Sequence, residues 1–161
     1  MVDTSKVTER RKLRYLTIDD MLADIDRIVA SDKAGKLRCT GNWTAGQAMG
    51  HVAAWINYAY EGFPLGPPPF FIRFVLRFLK KKYLRDGMPA GVRIPKTENG
   101  TFGIEVIGTE EGANRLRKAL ERLKRSEEST FDSPAFGKMP LEERISLNLR
   151  HAELHLGFLQ P

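Results

Sequence analysis

Four stretches of this chain open on a helix-start signal and then place apolar residues three and four apart, a pattern that packs only as α-helix. Thr17 with Asp20 is a capping-box variant, followed by Met21, Leu22, Ile25, Ile28 and Val29 on one face; this predicts a helix over about 18–33, broken by Gly35 and the Cys39 to Asn42 segment. Thr44 with Gln47 is a second box. It opens a helix carrying Met49, His51, Val52, Trp55, Ile56 and Tyr58 and ending near Gly62. Thr109, with Glu110 and Glu111 beside the positive end of the helix dipole, predicts a third helix ending near Ser126, with Leu116, Ala119, Leu120 and Leu123 as its buried stripe. Pro140 or Leu141 starts the last helix, along one side of which lie Leu141, Ile145, Asn148, His151 or Ala152, His155 and Leu159. The expectation is an all-α fold in a single domain, 1–161.

The intervening segments are punctuated by proline and glycine. Gly62 to Pro69 must be irregular, because its prolines remove donors and bar αR from the residue before each. From Phe70 to about Tyr83 bulky apolar residues alternate with Arg73, Arg77, Lys80, Lys81 and Lys82, which reads as a basic amphipathic helix. Three roles are open to it: a membrane-surface helix, a cationic entrance for an anionic substrate, or a bundle helix whose long basic side chains snorkel over its edge. The last is preferred. Asp86 to Gly108 reads as a long loop with a short strand at Gly103–Ile107, and it is the candidate lid. Residues 1–15 form a polar, basic arm that packs through Leu13, Tyr15 and Leu16.

The net charge of +6 comes from 26 basic residues spread among 20 acidic ones. With no recognition motif beside that charge, a specific nucleic-acid partner is not expected. Cys39 is the only cysteine, so no intrachain disulfide can form, and it reads as a small buried hydrophobe. No apolar run approaches a bilayer span, and a cytoplasmic location is the expectation. The aromatic-rich 70–84 helix is the first surface to inspect for a homodimer contact.

All three histidines fall where a metal ion would want them. His151 and His155, four apart, lie on one helix face, and His51 sits in an apolar stretch of another helix. Three imidazoles would leave a tetrahedral ion one position for water or substrate. The competing reading is three hydrogen-bonded core imidazoles. Gln47 and Asn148 project on the ligand faces, where they could orient water or substrate or donate hydrogen bonds to the imidazoles; Trp55 and Tyr58 share the face of His51. Glu153, two residues from each ligand, should point away from an ion and pair with a cation or face water. Trp43 and Trp55 read as packing residues.

Asn42 to His51, with Trp43, Thr44 and Gln47, and His151 to Pro161 together resemble the DinB-like superfamily of metal-dependent proteins. The pattern is a tryptophan and a polar residue at the start of helix two, a glutamine, a histidine four positions on, and a His-x-x-x-His pair on the last helix. Many members of the branch it most resembles have a second histidine where this chain has Leu154. The resemblance implies a four-helix bundle of up-down-down-up connectivity, to which the reading of the residues adds a short amphipathic helix and a long loop. It also implies a divalent ion, zinc or nickel, on His51, His151 and His155. Relatives of this kind include S-transferases that use low-molecular-weight thiols and hydrolases of the YfiT type. The expected function is therefore activation of a water or thiol toward a small-molecule substrate. The alternative is a non-catalytic scaffold or stress-related bundle with structural or adventitious metal.

Overall fold

The computed structural model describes residues 2–64, 66–95, 97 and 99–161, so Met1, and Leu65, Lys96 and Glu98 of the two expected loops, lie outside the described residues. Its elements are α1 (Ile18–Lys33), β1 (Arg38–Cys39), α2 (Ala45–Glu61), α3 (Phe70–Asp86), α4 (Thr109–Lys124), α5 (Leu141–Leu156) and β2 (Leu159–Gln160). Among the described residues the fold is all-α apart from one two-residue ladder and an isolated bridge between Ser133 and Gly137.

Both capping boxes form. The Thr17 hydroxyl accepts from the Asp20 N–H at 3.1 Å while the Asp20 carboxylate accepts from the Thr17 N–H at 2.8 Å. Thr44 and Gln47 do the same at 3.2 and 3.1 Å. Each satisfies two of the donors that a helix start leaves orphaned. At its other end α4 stops through Arg125 and Ser126, the latter at φ 59°.

Four helices share one apolar core. α1 contributes Met21, Ile25 and Ile28, α2 contributes Met49, Val52 and Ile56, α4 contributes Leu116 and Leu120, and α5 contributes Leu149, Ala152 and Leu156. Polar pairs at the edges report the relative directions. Lys33 at the end of α1 meets Glu110 at the start of α4, while Lys124 at the end of α4 meets Asp19 at the start of α1. The two run antiparallel. Gly46 touches Gly112 at the starts of α2 and α4, and Arg122 bonds Asn57 and Glu61 near their ends, so these two run parallel. Arg144 early in α5 bonds Tyr60 late in α2, and α5 opposes α2.

Several expectations change. β1 pairs antiparallel with β2, Arg38 opposite Gln160 and Cys39 opposite Leu159; two-residue strands are too short to show alternation in sequence. Residues 103–107 form no strand, because they run along α2 rather than beside another extended segment. Cys39 is exposed rather than buried, and Leu16 is 80% exposed, whereas Tyr15 is buried as expected. α3 buries none of its residues and joins the other helices from outside the core; at 17 residues it is not the short helix expected. Only its inner side touches α5, through Lys80 to Glu143 at 2.7 Å and Ser146 to the Leu84 carbonyl at 3.3 Å.

The N-terminal arm is anchored by charge as much as by apolar contact. Arg11 forks onto the buried Asp24 at 2.7 and 2.8 Å, and the Tyr15 hydroxyl donates to the same carboxylate at 2.6 Å. Among the described residues no helix is long and apolar enough to cross a membrane.

Candidate metal centre

The helical periods of α2 and α5 bring the three histidines into one cluster. His51 projects from the middle of α2, and the pair on α5 meets it because the two helices cross antiparallel at that level. The candidate ligand atoms lie within 4.8 Å of one another. His51 Nε2 is 3.2 Å from His151 Nε2, and His155 Nε2 is 3.0 Å from the same atom. Two nitrogens bonded to one ion at about 2.0–2.1 Å stand roughly 3.3 Å apart in a tetrahedral arrangement. The observed spacing is close to that.

Proton accounting sharpens the point. His51 Nδ1 is 2.7 Å from the Phe102 carbonyl, which only accepts, so Nδ1 carries the hydrogen and Nε2 presents a lone pair. His151 Nε2 can bond only one of its two neighbours: as a donor it has one proton for two positions, and as an acceptor from His155 it leaves its nitrogen facing the His51 lone pair unpaired. The rings cannot solve this by charging. Burial lowers His51 to about 4, against a smaller opposing effect of the Phe102 bond. His151 and His155 are also held well below the usual imidazole range, by burial first and by their histidine neighbours second. Three neutral donors facing one point is the donor set that a borderline divalent cation takes. The residues present fit such an ion.

The walls are aromatic. Trp43 stacks on His155 with ring centroids 5.0 Å apart and planes 18° apart, and lies 4.8 Å from His51. Trp55 sits edge-on to His151 at 5.7 Å, and Tyr58 and Phe63 pack behind it. Both tryptophans therefore border the cluster, a role that helical spacing alone did not separate from core packing. The Trp55 indole N–H is buried without a partner among the described residues.

The remaining candidates are engaged elsewhere. Gln47 spends its side-chain carbonyl on the Thr44 cap. The amide of Asn148 donates to the Arg144 carbonyl at 2.9 Å, back along its own helix. Neither makes a hydrogen bond to the imidazoles among the described residues. Glu153 turns from the cluster, pairing with Arg150 at 2.8 Å and accepting from the Tyr15 N–H at 2.6 Å.

Phe102 is the contributor the sequence did not announce. Its carbonyl reaches His51 because residues 102–108 lie directly on α2, over Gly46, Gly50 and Ala54. A Cβ on Gly46 would sit 2.1 Å from the Ile107 carbonyl oxygen, and one on Gly50 would sit 2.8 Å from the Ile107 side chain. Gly103, at φ +70°, approaches Ala54 so closely that its own Cβ would lie 2.7 Å from the alanine methyl. Small residues four apart on α2 were the available signal.

A family model described as "Protein of unknown function (DUF1569)" matches residues 7–161. The chain belongs to this family. Comparison with curated proteins and with solved structures gives no match. As a DUF1569 member it carries the three-histidine cluster inside the matched region, along with the arm from residue 7 onward that covers the end of α5.

Proposed function

We propose that this DUF1569 protein is a metal-dependent enzyme of DinB-like type, in which His51, His151 and His155 hold one divalent ion, Zn²⁺ or Ni²⁺. The relative directions of α1, α2, α4 and α5 support a four-helix bundle of up-down-down-up order, with α3 as the additional helix. The observation that carries the reading is the meeting of three Nε2 atoms at 3.0 and 3.2 Å with too few protons to satisfy one another. Bound there, an ion with a vacant position would lower the pKa of a water or of a low-molecular-weight thiol and prepare it to attack an electrophilic small molecule.

The chain's own residues would supply orientation and exclusion. The Phe102 carbonyl fixes the His51 tautomer and raises the basicity of its Nε2. Trp43 and Trp55 keep water from two sides and offer apolar surface to a substrate body. A thiol nucleophile would make the protein a transferase and a water nucleophile would make it a hydrolase.

The second reading is a non-catalytic scaffold. It is favoured by the engagement of Glu153, Gln47 and Asn148 elsewhere, which leaves none of the three as a general base. Elemental analysis of tag-free protein tests the metal centre on which the enzyme reading rests; a scaffold with structural metal would differ in showing no turnover. The enzyme reading expects close to one equivalent of zinc or nickel and loss of it in His51→Ala and His151→Ala. Less than about a tenth of an equivalent, unchanged in either variant, would overturn the metal centre and the enzyme reading with it.

A further inference from the structure

α3 has two unlike sides. Its inner side rests on α5, but Phe70 is 82%, Phe74 63% and Phe78 72% exposed. Large rings spaced four apart on an open helix face are an interaction surface, not a scatter of single apolar residues. On an ideal helix these three span an arc of about 80°, and Lys81 and Arg85 project within the same arc one to two turns further on. The face is therefore apolar at its start and cationic at its end.

The charge says what covers it. Between Phe70 and Arg85 the helix carries six basic residues and no acidic one. Among the described residues Lys81 and Lys82 have no ion-pair partner, whereas Lys80 is paired with Glu143 and Arg85 with Asp86. A second copy of the helix would meet this surface with charge of the same sign, whereas an anionic bilayer supplies both hydrocarbon and negative headgroups. We propose that α3 docks the protein on anionic lipid surfaces, Phe70, Phe74 and Phe78 entering the headgroup–acyl boundary while Lys81 and Lys82 engage the headgroups. The docking is peripheral and stands independently of the metal reading.

Co-sedimentation with vesicles tests this, using phosphatidylcholine alone and phosphatidylcholine mixed equally with phosphatidylglycerol. Wild type is expected to bind the mixed vesicles and to bind the neutral ones far more weakly. Phe74→Asp with Phe78→Asp should abolish binding, and Lys81→Gln with Lys82→Gln should weaken it about 25-fold, from roughly fivefold per headgroup-facing charge. The substituted side chains are exposed or border solvent, so circular dichroism should match wild type and retain the comparison as a test of binding. Equal binding to both vesicle types, or undiminished binding of the Phe74→Asp, Phe78→Asp protein, would overturn the proposal. So would a wild-type dimer in sedimentation equilibrium that this variant dissociates, which would assign the face to a second copy.

Discussion

At Asp24 a carboxylate is wholly withdrawn from water and stays ionised because three partners reach it. Burial pushes its pKa up, but the hydrogen bonds from Arg11 and Tyr15 and the charges of Arg11 and Arg27 outweigh that and hold it below the usual 3.8. Arg27 is two-thirds exposed and adds little, so Arg11 and Tyr15 carry the site. Asp24→Asn leaves the Arg11 guanidinium in a confined place without its counter-ion. A loss of about 3 kcal/mol in urea unfolding at neutral pH is the expected outcome, the low end for breaking a buried pair because Arg11 keeps some contact with water. The sign with pH follows from the depressed value. Asp24's contribution is complete above about pH 5, where the unfolded carboxyl is already ionised, and disappears as acid titrates through the lower folded pKa. The gap between wild type and variant should accordingly close below about pH 4; a constant gap down to strong acid would contradict the assignment.

At the scale of elements, the strap of residues 102–108 against α2 couples fold and site. The two glycines beneath it differ in what an added methyl would strike. On Gly46 the obstacle is the Ile107 backbone, which cannot yield without moving the strap, whereas on Gly50 it is the flexible tip of the Ile107 side chain. Gly46→Ala should destabilise by about 1–3 kcal/mol. Gly50→Ala should fall within about 1 kcal/mol of wild type, since the clash is offset by the better helix propensity of alanine. Thermal unfolding of the two variants gives the order. Because the strap carries the Phe102 carbonyl, the proposed metal centre predicts that Gly46→Ala weakens zinc binding in a titration, even though all three histidines remain. Retention of full affinity would mean that the carbonyl does not orient His51.

Over the whole molecule, the chain ends close on one another around α5. The arm donates from Arg10 to the Leu154 carbonyl at 2.8 Å, from Arg11 N–H to the Gly157 carbonyl at 2.8 Å and from the Arg11 side chain to the Leu156 carbonyl at 3.0 Å. These are carbonyls that a helix end leaves without intrahelical donors. They flank His155. β2, paired to β1, secures the far side of the same turn. Deleting residues 2–16 removes these bonds together with Arg11 and Tyr15 as Asp24 partners, and the expected drop in melting temperature is roughly 6–12 °C, from about 3 kcal/mol for the buried pair at about 2–4 °C per kcal/mol. The proposed metal centre further predicts weaker zinc binding by the truncated protein than by full-length protein at equal pH, measured by competition with a chromophoric chelator.

The legible parts were those whose cause is local. Capping boxes at Thr17 and Thr44, and apolar residues at helical spacing after them, satisfy orphan donors and bury a stripe within a few residues of chain, so α1, α2, α4 and α5 were readable from composition and order. His151 and His155 were likewise committed to one face by the pitch of the helix. The rest depended on which surfaces meet. Nothing near His51 in sequence says that the Phe102 carbonyl will lie 2.7 Å from its ring, because that contact crosses 51 residues and rests on Gly46 and Gly50 leaving α2 bare. Trp43 and Trp55 have the spacing of core residues, and only the crossing of α2 with α5 makes them walls of the histidine cluster. Gln47 and Asn148 project as expected, but cap and backbone partners claimed them first. α3 has the pattern of a packed helix, yet the core is already closed by four others. Periodicity determines which residues share a face; whether that face is covered is decided by the partners the tertiary structure places against it.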